Sequence, residues 1–160
     1  MAEDSSADNA GVRVIPPVVF LGGLAVGYLI QWMRPIPILP PWGSLAVRIV
    51  GVVAIGLGFW VMLSAVALFR RLKTPPEPWE PTTNLALDGP YRFTRNPMYL
   101  GMALVLGGLA LAGNALWPLV ALVPVVIIIR TQVIAREERY LEAKFGDEYR
   151  AFKARVRRWF

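Results

Sequence analysis

Residues 96–129 read NPMYLGMALVLGGLALAGNALWPLVALVPVVIII, a block of 34 positions without Asp, Glu, Lys or Arg. As one helix it would run about 51 Å at ~1.5 Å per residue, well beyond a hydrocarbon core of ~30 Å. Gly113-Asn114 sits near its middle and is a turn signal. The block therefore reads as a tight helical hairpin, with arms at about 98–112 and 115–130. Pro118 and Pro124 are placed to kink the second arm.

Two further charge-free blocks precede the hairpin, residues 14–33 (20 positions) and 49–69 (21 positions). Each matches one membrane span of ~20 residues. Pro16-Pro17 suits a helix start, where a missing N–H costs nothing. The first block is open to reading as a signal peptide, but residues 1–11 are acidic rather than basic and its apolar run exceeds a usual signal core. The expected fold is all-α: a polytopic membrane protein with four transmembrane helices, the last two a tight hairpin, plus cytosolic C-terminal amphipathic helices. It forms a single membrane domain. Its parts are a flexible N-terminus (1–13), two spans (14–69), a cytosolic loop (70–97), the hairpin (98–130) and C-terminal helices (131–160).

Composition agrees. The chain has 160 residues, of which 56% are hydrophobic and 18% charged, against ~45–50% and ~25% in soluble domains. A soluble domain of this length has too little interior for so much apolar side chain. With no cysteine, disulfides, thiolate metal sites and thiol nucleophiles are excluded. With no histidine, imidazole bases, His-ligated metals and serine–histidine triads are excluded too. No metal is expected.

The basic residues choose a side. Residues 1–48 hold three, the 70–95 connection five and the 130–160 tail nine, while the hairpin tip has none. Four spans put the connection and the tail on one side, which the positive-inside rule makes cytoplasmic. Both termini then lie there, in the inner or plasma membrane of a prokaryote. The net charge of +6 comes largely from the tail. On a membrane protein the lipid bilayer is its simplest partner, and no nucleic-acid motif is present.

The connection carries Pro75, Pro76, Pro78, Pro81 and Pro90 and begins as an extended, rigid segment. Gly89-Pro90 marks a turn into Tyr91 through Tyr99. Asn96 can cap a helix with Pro97 at its first position, and helix N-termini attract carboxylates and phosphates. After the hairpin, Ile134, Tyr140-Leu141 and Phe145 form an apolar stripe. Gly146 ends that helix, and a short one follows with Tyr149, Phe152 and Val156 on one side. Trp159 and Phe160 suit an interfacial anchor.

The ordered set Leu85-Ala86-Leu87-Asp88-Gly89-Pro90-Tyr91, Arg95-Asn96-Pro97-Met98-Tyr99-Leu100-Gly101, Glu137-Glu138 and Phe145-Gly146-Asp147-Glu148-Tyr149 resembles the isoprenylcysteine carboxyl methyltransferase family of integral-membrane methyltransferases. Phospholipid N-methyltransferases share its Asn-Pro-Met-Tyr and paired-glutamate features. The likeness covers roughly residues 83–159. It implies S-adenosylmethionine as methyl donor, bound at the cytosolic face. Matched motif by motif, it puts cofactor contacts on Thr83, Asn84, Leu85, Ala86, Tyr91, Asn96, Pro97, Met98, Tyr99 and Glu137. Prenylcysteine enzymes usually have histidine where this chain has Asn96. Asparagine keeps a donor and an acceptor but cannot titrate, which weakens any transfer of the prenylcysteine substrate.

Methyl transfer from a sulfonium needs alignment and shielding, so the lack of His and Cys is harmless. The expected reaction moves a methyl group to a lipid-like or hydrophobic small acceptor. A carboxylate comes first, with amine and thiol as alternatives. No catalytic residue is assigned, and Arg95 and Glu137 are the best candidates. Glu137 would hold the donor's ribose hydroxyls or ammonium. Tyr91 and Tyr99 would face its adenine or sulfonium. The Asn96-Pro97 helix start would offer N–H groups to its carboxylate, and Arg95 would brace the loop or meet an anionic acceptor. Blander readings stand beside these: Glu137-Glu138 as a solvated face, the tyrosines as belt aromatics, and Asn96-Pro97 as a cap only. Gly101, Gly107 and Gly108 read as helix-packing positions, and Arg155, Arg157 and Arg158 as headgroup contacts. Two other functions remain open: a non-enzymatic membrane scaffold and a nicotinamide-dependent, sterol-reductase-like enzyme.

Overall fold

A computed structural model of the chain describes residues 9–12, 14–77 and 79–159. Five α-helices follow in order: α1 Pro16–Met33, α2 Ser44–Leu72, α3 Pro97–Ala112, α4 Leu116–Ile128 and α5 Ala135–Arg155. A π-helical segment, Ile129–Ile134, joins α4 to α5, and 3-10 turns lie at Pro41–Gly43 and Gly89–Arg92. The fold is all-helical, and among the described residues no strand forms. Three helical runs are long and apolar enough to cross a membrane, Pro16–Met33, Pro41–Leu72 and Leu116–Arg155, while α3 is apolar but shorter at 16 residues.

The helices pack in the order α2, α3, α4, α1. The α2–α3 contact is set by glycine. A Cβ on Gly58 would lie 2.6 Å from the Gly101 carbonyl oxygen, and one on Gly51 would lie 2.6 Å from that of Gly108. Seven residues separate the members of each pair along their helices, so two rungs of backbone contact form. Small residues let apolar helices approach this closely and gain dispersion where lipid offers no hydrophobic drive. Gly101 and Gly108 are thus packing positions, while Gly107 makes only an ordinary contact with Leu122. Gly27 plays the same part between α1 and α4, where Pro118 presses on it.

The hairpin tip forms at Gly113-Asn114, with Asn114 in the left-handed region at φ 50°. The Asn114 amide locks the tip to the α1–α2 connection: its Nδ2 donates to the Leu39 carbonyl (2.8 Å) and its Oδ1 accepts from the Leu39 N–H (3.0 Å). Trp32 and Trp42 stand outward at this end, 82% and 88% exposed, as membrane-interface aromatics do.

Several boundaries differ from expectation. The second helix extends past its charge-free block at both ends. Arg48 is kept because its guanidinium reaches the Ala112 carbonyl (3.3 Å), and Arg70 and Arg71 occupy the last turn, where cations complement the helix dipole. The second hairpin arm starts at Leu116 because Ala115 is extended and pairs with Pro37. No break occurs near Arg130. Arg130 is exposed, no glycine or proline interrupts 125–145, and the helix runs on through the π-segment. Of the N-terminus expected to be flexible, Val12 is buried in the core and the Gly11 carbonyl accepts from Arg136 (3.2 Å). Residues 1–8, Arg13, Pro78 in the rigid segment and the Phe160 anchor lie outside the described residues. Trp159 is no exposed anchor, since it packs against the core cluster that holds Tyr99 and Ile134.

Candidate active site

At the end of the bundle where α2 stops and α3 starts, a cavity encloses about 630 Å³ including its open mouth. Its wall is assembled from distant parts of the chain, each held by its own polar contacts.

The first part is the loop after α2. Lys73, at φ 52°, ends that helix with paired bonds, Thr74 N–H to Phe69 O and Lys73 N–H to Arg70 O, the arrangement that satisfies carbonyls at a helix end. Asn84 Nδ2 donates to the Leu72 carbonyl (2.8 Å), and Tyr140 Oη accepts the Thr82 N–H (3.1 Å). So Thr82, Asn84, Leu85 and Ala86 run along the cavity wall. Thr83 does not face the cavity. Its N–H is taken by Thr74 Oγ1 (2.9 Å), and the residue is spent bracing the loop.

The second part is the turn into α3. The Tyr91 ring rests on Phe69 with centroids 5.8 Å apart. Burial, aided by the Glu137 charge, pushes its hydroxyl well above the usual range, so it stays protonated. Arg95, Asn96, Met98 and Tyr99 line the cavity. Pro97 does not; it is fully buried in the first turn of α3. The expected Asn96 side-chain cap is absent, and Asn96 Nδ2 donates to the Arg158 carbonyl (3.0 Å).

The third part is α5. Glu137 Oε1 accepts the Tyr99 hydroxyl at 2.7 Å. Burial pushes the Glu137 carboxyl up to about 7, the neighbouring Glu138 charge adds to this, and the Tyr99 hydrogen bond opposes it. Glu138 is no solvated-face residue. It is 6% exposed and paired with Arg95 (3.3 Å) and Arg158. Arg158 therefore faces inward rather than toward headgroups. Arg95 is held by Glu138 through Nη2 alone, and its Nε and Nη1 are buried without a partner. Gly146, at φ 53° and ψ −122°, breaks α5, and the chain beyond it brings Tyr149 and Phe152 to the cavity.

Sequence reasoning overlooked Phe69, Thr82, Leu141, Tyr149 and Phe152 as lining residues. Phe69 is the last residue of a charge-free block and reads as lipid-facing. Tyr149 and Phe152 show only an apolar helical face. No local signal separates such side chains from core. Among the described residues, no group of three or more Cys, His, Asp or Glu is placed to hold a metal ion.

An all-helical bundle with membrane-length apolar helices and a cavity at one end has the architecture of a membrane protein. The chain belongs to the phospholipid methyltransferase family, whose pattern matches residues 46–148, from α2 to just past the Gly146 break. A Haemophilus influenzae protein described only as uncharacterized is 51% identical over 63 residues, covering 39% of this chain and 98% of its own length. No solved structure matches. Family membership makes this a membrane methyltransferase in kind.

Proposed function

We propose that the chain transfers a methyl group from S-adenosylmethionine to a lipid-like or hydrophobic small acceptor at the cytoplasmic face of the membrane. One observation carries the reading: a single cavity holds a half-buried carboxylate, Glu137, and the Arg95 guanidinium, whose side chain is 10% exposed and has two unpartnered donor nitrogens. A zwitterionic amino-acid moiety asks for that pair. Glu137 takes the donor's ammonium or ribose hydroxyls, and Arg95 its carboxylate. Tyr91 and Tyr99 supply ring faces for the purine or the sulfonium, and Asn84, Leu85 and Ala86 supply the opposite wall. When bound, S-adenosylmethionine provides an activated methyl on a cationic sulfur, so the protein's task is alignment and exclusion of water.

The acceptor comes from the membrane side. An apolar groove lined by Trp60, Val61, Phe93 and Leu100 opens next to Thr94, the neighbour of Arg95. A carboxylate acceptor is the first choice, since its charge and that of the sulfonium vanish together in a dry site. An amine acceptor needs a base, for which Glu137, Glu138 or water would have to serve. Four spans, with α3 as the third, put this cavity and both basic segments on the cytoplasmic side.

Calorimetry in detergent with S-adenosylhomocysteine tests the reading. Saturable binding is expected, and Glu137→Gln should abolish it while thermal unfolding persists. Failure of well-folded protein to bind, or binding of a nicotinamide cofactor in its place, would overturn it.

A further inference from the structure

The C-terminal segment 156–159 crosses the entry to α3 and is tied to it three times. The Arg157 carbonyl accepts the Arg95 N–H (3.0 Å), and the Arg158 carbonyl accepts from Thr94 Oγ1 (3.1 Å) and Asn96 Nδ2 (3.0 Å). The Arg158 side chain then turns to Glu138. Its Nε donates to Oε1 (3.0 Å) and its Nη2 to Oε2. Arg95 reaches the same carboxylate only through Nη2, at 3.3 Å. Two guanidiniums thus share one carboxylate, and the cluster is left with a positive charge facing the cavity.

A guanidinium and a carboxylate prefer a two-point fork. In this cluster Arg158 makes the fork and Arg95 does not. We propose that Arg158 is a positioning residue: by occupying Glu138 on two sides, it prevents Glu138 from clamping Arg95 and so keeps the Arg95 Nε and Nη1 donors free for an anionic group in the cavity. That group is the donor's carboxylate if the reading above holds, on which this assignment rests. Arg95 is suited to the part. Its side chain is 10% exposed, and it lines the cavity with two buried donors unmet. Leaving such donors unpaired is costly, so the arrangement favours a ligand that supplies the missing oxygens.

A double-mutant cycle separates this role from simple support of the tail. Arg158→Ala frees Glu138 to fork with Arg95, and the dissociation constant for S-adenosylhomocysteine should rise by about tenfold or more, the loss of a charge-assisted contact. Adding Glu138→Gln removes the competing charge, and most of the affinity should return. Arg158→Lys neutralises Glu138 but cannot fork to it, so its affinity should fall between those of wild type and Arg158→Ala. No change in Arg158→Ala, or a loss that Glu138→Gln leaves uncorrected, overturns the proposal. The second result would mark Arg158 as a strap and nothing more.

A donor-free reading uses 15N-labelled arginine. The Arg95 Nε–H resonance should shift in Arg158→Ala as the fork forms and revert in the double variant. An unmoved resonance refutes the proposal. If wild type binds no S-adenosylhomocysteine but the resonance behaves as stated, the methyltransferase reading fails while the positioning role stands. Thermal unfolding of each variant verifies folding.

Discussion

Glu137 and Glu138 are neighbours with opposite roles. The π-segment before them passes Val133 and Ile134 into the core and sets the next turn so that one carboxylate meets Tyr99 and the other two arginines. Glu137 has no cation within ion-pair distance among the described residues, so burial governs it and holds its carboxyl near 7, against 4.5 for an ordinary glutamate. The folded protein thus binds this proton more tightly than the unfolded chain. Its stabilising effect is complete below about pH 4.5 and is lost as pH rises through about 7, a loss of roughly 3 kcal/mol. Donor-free protein in detergent should therefore melt higher at pH 5 than at pH 8 through this site, and Glu137→Gln should remove that part of the slope. An unchanged slope in the variant would show that Glu137 is not a buried, raised carboxyl. The paired glutamates were legible as a motif. Their division of labour was not, because it depends on arginines 43 and 20 residues away in sequence.

The helices owe their arrangement to small residues as much as to apolar ones. On α2, Gly58 faces the Gly101 backbone, whereas Gly56 has open space around its missing Cβ. Gly58→Ala must push α2 and α3 apart and should destabilise by about 1–3 kcal/mol, the usual cost of overpacking. Gly56→Ala should be neutral or slightly stabilising through better helix propensity. Thermal unfolding in detergent checks both, and equal effects would contradict the glycine-rung packing. The hairpin was readable because its length exceeded one span and Gly113-Asn114 interrupted it. The continuity of α4 into α5 was not. The change from apolar to charged residues at Arg130 looks like a boundary, yet the backbone crosses it without a break, since hydropathy records the solvent and not the helix.

At the scale of the molecule, hydrophobic residues outnumber what the interior can hold, and many large ones face outward. Leu21, Val53, Trp60 and Leu63 are all at least half exposed. That surplus made the membrane legible from composition, and the charge-free blocks located the helices. The cavity was half legible. The polar residues carried by motifs converge on it. The aromatic walls do not announce themselves, because an apolar side chain serves lipid, core and ligand equally well. As a methyltransferase the chain is proposed to open its donor site to the cytoplasm. Methyl transfer from labelled S-adenosylmethionine into the lipid-soluble fraction tests it directly, using sealed vesicles that carry the chain in either orientation. Labelling is expected when the cytoplasmic face is outward, with loss of it in Glu137→Gln and little labelling in right-side-out vesicles. Labelling confined to right-side-out vesicles, or absent from both with well-folded protein, would contradict it.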